Sequence, residues 1–471
     1  MNPRALAPAL ALTGALACGP TPPHADPDVL ATTPAPTVAT TLAPTVAATT
    51  PAPLDDARLL AQTDRYLSDP GARRRALERS LQNPQNLYSR TRLGAYGRAD
   101  LGWDLLPAWN PRVRPVTARR AADLAGGSDL ADAAPLWDGQ RPTTMAQWVA
   151  LGRQVFFLYP LRPEVFAEHA LAHPEVAREV GLHTAADGEV PGTVAFLDID
   201  GRARIGITCA LCHSTREGDA IVAGRARRDL DYGRMRLAYH RDTGAPVDAE
   251  LARRMATWGP GRADITEDDD EDPVAIPDLW GLRDLAALTQ AATLQHAALG
   301  DDAPLALAIR QETQILHANG ERTRPPRELA WALAMYLYSL APPARPAPLV
   351  DAAAQRGRAT FRRDCEPCHA DPGGSGPPIA AEEVGTDPAL ARGTSRGTGL
   401  YRPAPLLRVA EAAPYLHDGT VATLADMFDA ARLDPGFVRG ARGPGAIAGH
   451  AAGTDLAARE RDDLLAYLRT L

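Results

Sequence analysis

A mainly α-helical protein of two domains is predicted by three observations. The chain has 471 residues, its composition is 45% apolar with only 5% aromatics, and it carries two Cys-x-x-Cys-His units far apart. A chain of this length exceeds one ordinary domain and leaves room for two compact cores plus leader and linker. The 39 Gly and 43 Pro predict helices joined by long irregular segments. A formal net charge of −8 gives no electrostatic footprint for nucleic acid or for an anionic membrane face, so no nucleic-acid partner is expected.

At the start of the chain, Arg4 precedes an apolar run from Ala5 to Ala17, too short to span a bilayer, and residues 1–17 read as a signal peptide. Export to the periplasm follows as the expectation. Ala15-Leu16-Ala17 suits an ordinary signal peptidase, whereas Cys18-Gly19 also resembles a lipoprotein cleavage site, although Leu16 stands one position later than that pattern prefers. Both readings stay open, a lipid anchor on Cys18 and an incidental Cys beside the cut. Residues 18–56 form a Pro/Thr/Ala-rich linker that cannot bury a core. No later segment reaches transmembrane length.

Residues 57–345 make up the first domain, which ends in a helical pattern of Leu329, Leu333, Tyr336, Leu337 and Leu340 stopped by Pro342-Pro343. Within it Val194, Phe196 and Ile199, then Asp200-Gly201, then Arg204, Ile205 and Ile207 predict a short hairpin leading into Cys209. Little other strand is expected. The acidic run Glu267–Asp272 lacks EF-hand spacing and reads as a solvated loop. Residues 346–471 make up the second domain, after a short connection through Pro346 and Pro348. Its first helix, opened by Asp351, places Gly357, Phe361 and Cys365 on one face, and its last helix runs from about Arg459 to Leu471 with Leu464, Leu465 and Leu468 on the apolar side.

Apart from Cys18, the cysteines fall into two units, Cys209-Ala210-Leu211-Cys212-His213 and Cys365-Glu366-Pro367-Cys368-His369, leaving none for a structural disulfide. Two thiols at this spacing add across the two vinyl groups of a haem, and the adjoining His ligates its iron. The expected cofactors are therefore two covalently bound haem c groups, held by Cys209, Cys212, Cys365 and Cys368, with His213 and His369 on the irons. The fold class sharpens to two cytochrome c-type helical domains, each around one haem, with long loops and the small hairpin in the first. The competing readings are a zinc site built from two knuckles, which would make a binding module, and redox-active dithiols.

Spacing does not fix the sixth ligands. For the haem at His369 the candidates are His417, Met427 and His450; for the haem at His213 they include Met235, His240, His296 and His317. A six-coordinate haem mainly passes electrons, whereas one with an open position binds a small molecule such as O2 or H2O2.

Over most of residues 145–471 the chain resembles the bacterial di-haem cytochrome c peroxidase superfamily, which includes the di-haem enzyme of methylamine dehydrogenase maturation and the haem-dependent rubber oxygenases. Leu151-Gly152-Arg153-Gln154-Val155-Phe156-Phe157 is similar to that family's Gly-x-x-x-Phe helix, here separated from the first haem motif by an insertion of about forty residues. Tyr401-Arg402-Pro403-Ala404-Pro405-Leu406-Leu407, followed by Ala413-Pro414-Tyr415-Leu416-His417-Asp418-Gly419-Thr420, is similar to its most specific stretch outside those motifs. The peroxidases ligate one haem through a Met where this chain has Ala431, with Met427 a helical turn earlier. Gly449-His450-Ala451 instead resembles the Gly-His segment of the rubber-oxygenase branch, as do Trp258-Gly259-Pro260-Gly261-Arg262-Ala263-Asp264 and Arg228-Asp229-Leu230-Asp231-Tyr232-Gly233. The resemblance makes His450 the expected sixth ligand at His369 and gives His417 a loop-ordering role. It supplies no counterpart for the glutamate with which the peroxidases cleave the O–O bond; Glu312 lies nearest and reads as a helix-surface charge.

Three functions remain at this point. The first is a di-haem oxidoreductase in which the haem at His369 relays electrons to an open, catalytic haem at His213. The second is a pure electron carrier with both haems six-coordinate, and the third is hydrogen peroxide reduction as a cytochrome c peroxidase. In each the partner is a small redox protein or other electron donor or acceptor.

Overall fold

The computed structural model describes residues 55–471 except 99, 118–129, 186–187, 265–272, 344–350 and 371–372. The signal peptide at 1–17, Cys18, nearly all of the linker at 18–56, the run Glu267–Asp272 and the connection through Pro346 and Pro348 lie outside the described residues.

Two close helix crossings organise the chain. In the first, Thr144 and Gln147 form a capping box that starts the helix Met145–Leu158. A methyl group on its Gly152 would come within 1.9 Å of the Ala332 carbonyl oxygen, so glycine alone lets this helix lie against the backbone of the helix Arg327–Ser339. That second helix is buried from Leu329 to Tyr338, and Trp148, Val155 and Phe156 pack beside it in the largest apolar core. In the second crossing, Asp351 caps the helix Ala352–Asp364, and a methyl group on Gly357 would come within 1.8 Å of the Asp463 carbonyl oxygen of the helix Ala458–Leu468. Leu464, Leu465 and Leu468 are buried there with Phe361. Each crossing thus pairs a Gly with a Phe four residues on, Gly152 with Phe156 and Gly357 with Phe361.

Around the first crossing stand three helices, Asp56–Ser68, Pro70–Ser80 and Leu87–Ala95, whose N-termini are capped by Asp55, Asp69 and Asn86. The helix Ala303–Ala318 packs among them. The predicted hairpin is present as strands β3 (Glu189–Leu197) and β4 (Ala203–Ile207), paired antiparallel from Thr193↔Ile207 to Leu197↔Ala203. It is larger than expected: β1 (Val113–Thr117) and β2 (Arg162–Pro163) flank it in a four-stranded sheet of order β1-β3-β4-β2. Pro115 and Pro163 interrupt the alternation that would have revealed these edge strands. The remaining strands among the described residues form two-stranded ribbons.

The halves interlock. Leu87 and Tyr88 donate their backbone N–H groups to Thr394 and Ser395, and Ala275 donates to the His417 carbonyl. Val274 and Ala291 share an apolar cluster with Ala381, Leu390 and Tyr401. Arg225 bridges Glu217 and Glu411, and Arg442 caps the C-terminal carbonyls of Thr257 and Trp258. No helix among the described residues is long and apolar enough to cross a membrane.

Gly357→Ala and Gly152→Ala are each expected to destabilise the protein by about 1–3 kcal/mol through overpacking. An unobstructed helical Gly would show the opposite sign, a gain of about 1 kcal/mol. Denaturant midpoints of the two variants decide between these outcomes.

Candidate haem sites

The second motif sits where the helix Ala352–Asp364 ends. Cys365 N–H still donates to the Phe361 carbonyl, and Cys368 and His369 donate back to the Cys365 carbonyl at 3.1 and 2.9 Å. This single turn turns both sulfurs and the imidazole toward a cavity of about 440 Å³, a size suited to a cofactor. His369 Nδ1 donates to the Gly374 carbonyl at 2.8 Å, which fixes the tautomer and leaves Nε2 with its lone pair for a metal.

Opposite stands His450, its ring centre 6.1 Å from that of His369 with the planes at 56°. Two imidazole nitrogens about 2 Å from one metal ion place their ring centres roughly 6 Å apart. Burial and the neighbouring His369 hold the His450 imidazole down to about 4, so it stays neutral, and its Nδ1 is buried without a partner. The other two candidates lie on the cavity wall. His417 Nε2 meets the Tyr401 hydroxyl at 3.3 Å with the two rings 4.5 Å apart, and Met427 packs into the apolar core beside Phe428.

The wall also carries Arg402. Its Nε is buried without a partner, and burial lowers its guanidinium to about 10. A buried cation with an unpartnered Nε in a largely apolar cavity suits the two carboxylates at the edge of a haem, so the residues present fit that group.

Strand β4 delivers the first motif through Thr208. His213 Nδ1 donates to the Pro277 carbonyl at 3.1 Å, the same arrangement as at His369. Burial holds its imidazole down to about 4. Beside Cys209 lies the desolvated guanidinium of Arg310, lowered further by Arg396, so buried positive charge suited to carboxylates accompanies this motif too. The sixth-ligand candidates named for this motif differ in which atoms are engaged. His296 uses both nitrogens, on the Leu285 carbonyl and the Tyr338 hydroxyl. His317 meets Glu321, His240 meets the Ala245 carbonyl, and Met235 is packed among Leu230, Tyr232 and Trp258.

The thiols of Cys209, Cys365 and Cys368 are not activated. Burial, then the paired Cys212, pushes Cys209 up to about 12, and burial pushes Cys365 up to about 11 and raises Cys368. Dithiol redox chemistry and zinc binding both call for the thiolate. Among the described residues no group of three or more His, Cys, Asp or Glu side chains is placed to hold a metal ion.

Glu312 corrects an expectation. It is wholly buried, not a surface charge, and accepts hydrogen bonds from the Tyr66 and Tyr96 hydroxyls at 2.7 and 2.6 Å, with Arg327 at 3.5 Å. The expected surface position followed from reading a Glu in a helical stretch without the Tyr-bearing helices that cover it.

Residues 352–401 match the family model described as cytochrome c oxidase, cbb3-type, subunit III. That stretch runs from the first turn of the helix Ala352–Asp364 through Cys365, Cys368 and His369 to Tyr401. The chain carries a cytochrome c-type domain. Covalent haem c and a redox role follow for this domain. Among solved structures, a MauG-like protein associated with microbial copper homeostasis aligns at 21% identity and a TM-score of 0.22, covering 31% of this chain. The chain spans 56% of that protein's length. Hydrazine synthase of Kuenenia stuttgartiensis aligns at 14% identity and a TM-score of 0.34, over 77% of this chain and 96% of its own. No curated protein matches the chain.

Replacing Arg402 by Leu removes a buried positive charge from the wall of the cytochrome c-type domain's cavity and is expected to lower the reduction potential of its haem. Spectroelectrochemical titration measures this, and an unchanged potential would place Arg402 outside the haem's electrostatic reach.

Proposed function

We propose that the chain is an exported di-haem c-type cytochrome of the di-haem peroxidase superfamily, nearer its rubber-oxygenase branch. In this reading Cys365, Cys368, His369 and His450 hold an electron-transferring haem, and Cys209, Cys212 and His213 hold the haem at which oxidoreductase chemistry occurs. The observation that carries it is the opposition of His369 and His450 at 6.1 Å across the cavity. A bound haem supplies one-electron redox change and, at an open axial position, a place for a small molecule such as O2 or H2O2.

The chain's own residues divide the work. Gly374 and Pro277 accept the Nδ1 protons of His369 and His213, orienting each ring. Pro277 also lines the cavity of the second site, so one residue touches the His213 ring and the wall facing His369. The segment bearing it is fixed by the Arg228–Asp278 ion pair at 2.9 Å, while Arg228 Nε donates to the Ala412 carbonyl. A short, rigid connection between the sites supports a relay. The engagement of both His296 nitrogens and the packing of Met235 support an open position at the first. The external partner is a small redox protein or another electron donor or acceptor, met at the surface in the periplasm.

Pyridine haemochrome analysis of the holoprotein is expected to give two haems per chain, and the ferric EPR spectrum one low-spin and one high-spin signal. His450→Ala should convert the low-spin signal to high spin while both haems stay attached. Two low-spin haems in every redox state would favour the carrier reading, and a single haem would remove the relay. Cell fractionation with radiolabelled palmitate tests export and the anchor: label on the wild type that disappears in Cys18→Ala shows lipidation, and unlabelled periplasmic protein shows a cleaved, soluble form.

A further inference from the structure

Arg432 is wholly buried in the short helical turn Ala430–Leu433, and the hydrogen bonds of its guanidinium run to backbone carbonyls. Nε donates to Met427 at 3.1 Å, Nη1 to Ile447 at 2.7 Å, and Nη2 to Gly449 at 2.9 Å and His450 at 2.7 Å. In return the Arg432 carbonyl accepts from Ile447 N–H at 2.6 Å. A desolvated cation is costly, and carbonyl dipoles compensate it only where the backbone converges on it. Here the converging backbone is the segment that ends in His450.

That segment needs holding. His450 has φ +47°, the left-handed region that a residue with a side chain rarely adopts. Its N–H donates to the Val384 carbonyl at 2.7 Å, and Gly449, at φ +88°, lies so close to Thr386 that a methyl group there would come within 2.5 Å of its backbone. The loop is therefore gripped from two sides, by the 384–386 segment and by Arg432. The imidazole itself has no hydrogen bond on Nδ1 to orient it. Its position depends on its backbone.

We infer that Arg432 is a positioning residue that sets the His450 imidazole opposite His369 by collecting the carbonyls of the loop around one guanidinium. The inference rests on the reading in which His450 is the second axial ligand of that haem. Removing the guanidinium frees these carbonyls and lets His450 relax out of the left-handed conformation, while the cysteines and His369, on the other side of the cavity, keep their places.

The test uses the holoprotein with Arg432→Lys and Arg432→Met, and Gly449→Ala as an independent displacement of the same loop. Both haems should stay covalently attached, with at least half of the low-spin ferric signal moving to high spin in Arg432→Met and less in Arg432→Lys. Free imidazole should restore the low-spin spectrum, which a general loss of structure would not allow. Gly449→Ala should give the same spectral change. Full retention of the low-spin signal in both Arg432 variants overturns the inference, and so does loss of covalent haem or of cooperative unfolding, because the role claimed is local. A low-spin signal that survives His450→Ala would instead overturn the ligand assignment on which the inference rests.

Discussion

Two buried imidazoles, His369 and His450, held with their ring centres 6.1 Å apart and their planes at 56°, impose the main constraint on the second half of this protein. Burial disfavours the charged form of both rings, and the unpaired His450 Nδ1 gains nothing in return. The arrangement therefore has to be imposed from behind. On one side the Gly374 carbonyl fixes His369, and the helix crossing at Gly357 fixes the turn that carries it. On the other side the backbone of His450 is fixed by Val384 and Arg432. Both sides are thus held through main chain, by a carbonyl and a close helix crossing behind His369 and by hydrogen bonds behind His450.

The same logic explains why the halves interlock. Pro277, which precedes Trp280 in the first half, closes the cavity of the second motif and orients His213 of the first. The loop at 394–396 reaches the other way, accepting the N–H groups of Leu87 and Tyr88 and bringing Arg396 near the desolvated Arg310 beside Cys209. The second site is thus walled partly by the first half, and the buried charge beside Cys209 is influenced by the second. Movement of one half against the other is opposed by the hydrogen bond from Arg228 Nε to the Ala412 carbonyl and by the Arg442 cap.

Much of this was legible in the sequence because it is local. The Gly-x-x-x-Phe spacing, the Asp351 cap, the stop at Pro342-Pro343 and the apolar face of the last helix act within one or two turns, and the helices appear within a few residues of where the pattern puts them. The Cys-x-x-Cys-His units are local chemistry as well. What was not legible depends on residues far apart in sequence. Arg402 leaves its buried Nε without a partner and Glu312 has Tyr66 and Tyr96, yet as letters each is only a charged residue. Arg432 could not be singled out because its partners are carbonyls, which every residue possesses. The edge strands β1 and β2 contain prolines and lack alternation, so only the finished sheet shows them.

The two motifs, identical as sequence patterns, differ in what faces them. Both histidines send Nδ1 to a carbonyl, Cys209 and Cys365 are both desolvated, and both motifs have a buried guanidinium near by. The difference lies in the other histidines. His369 meets another imidazole, whereas His296 is held on both nitrogens and His317 is turned to Glu321. Breaking the 2.7 Å bond from Tyr338 to free His296 would leave a buried hydroxyl unsatisfied, at a cost of about 1–3 kcal/mol. Metal ligation by His296 would have to exceed that cost and move the ring as well, whereas at His450 no bond has to be broken on the imidazole. The asymmetry between the two motifs therefore comes from hydrogen bonds remote from the cysteines and not from the attachment motifs themselves.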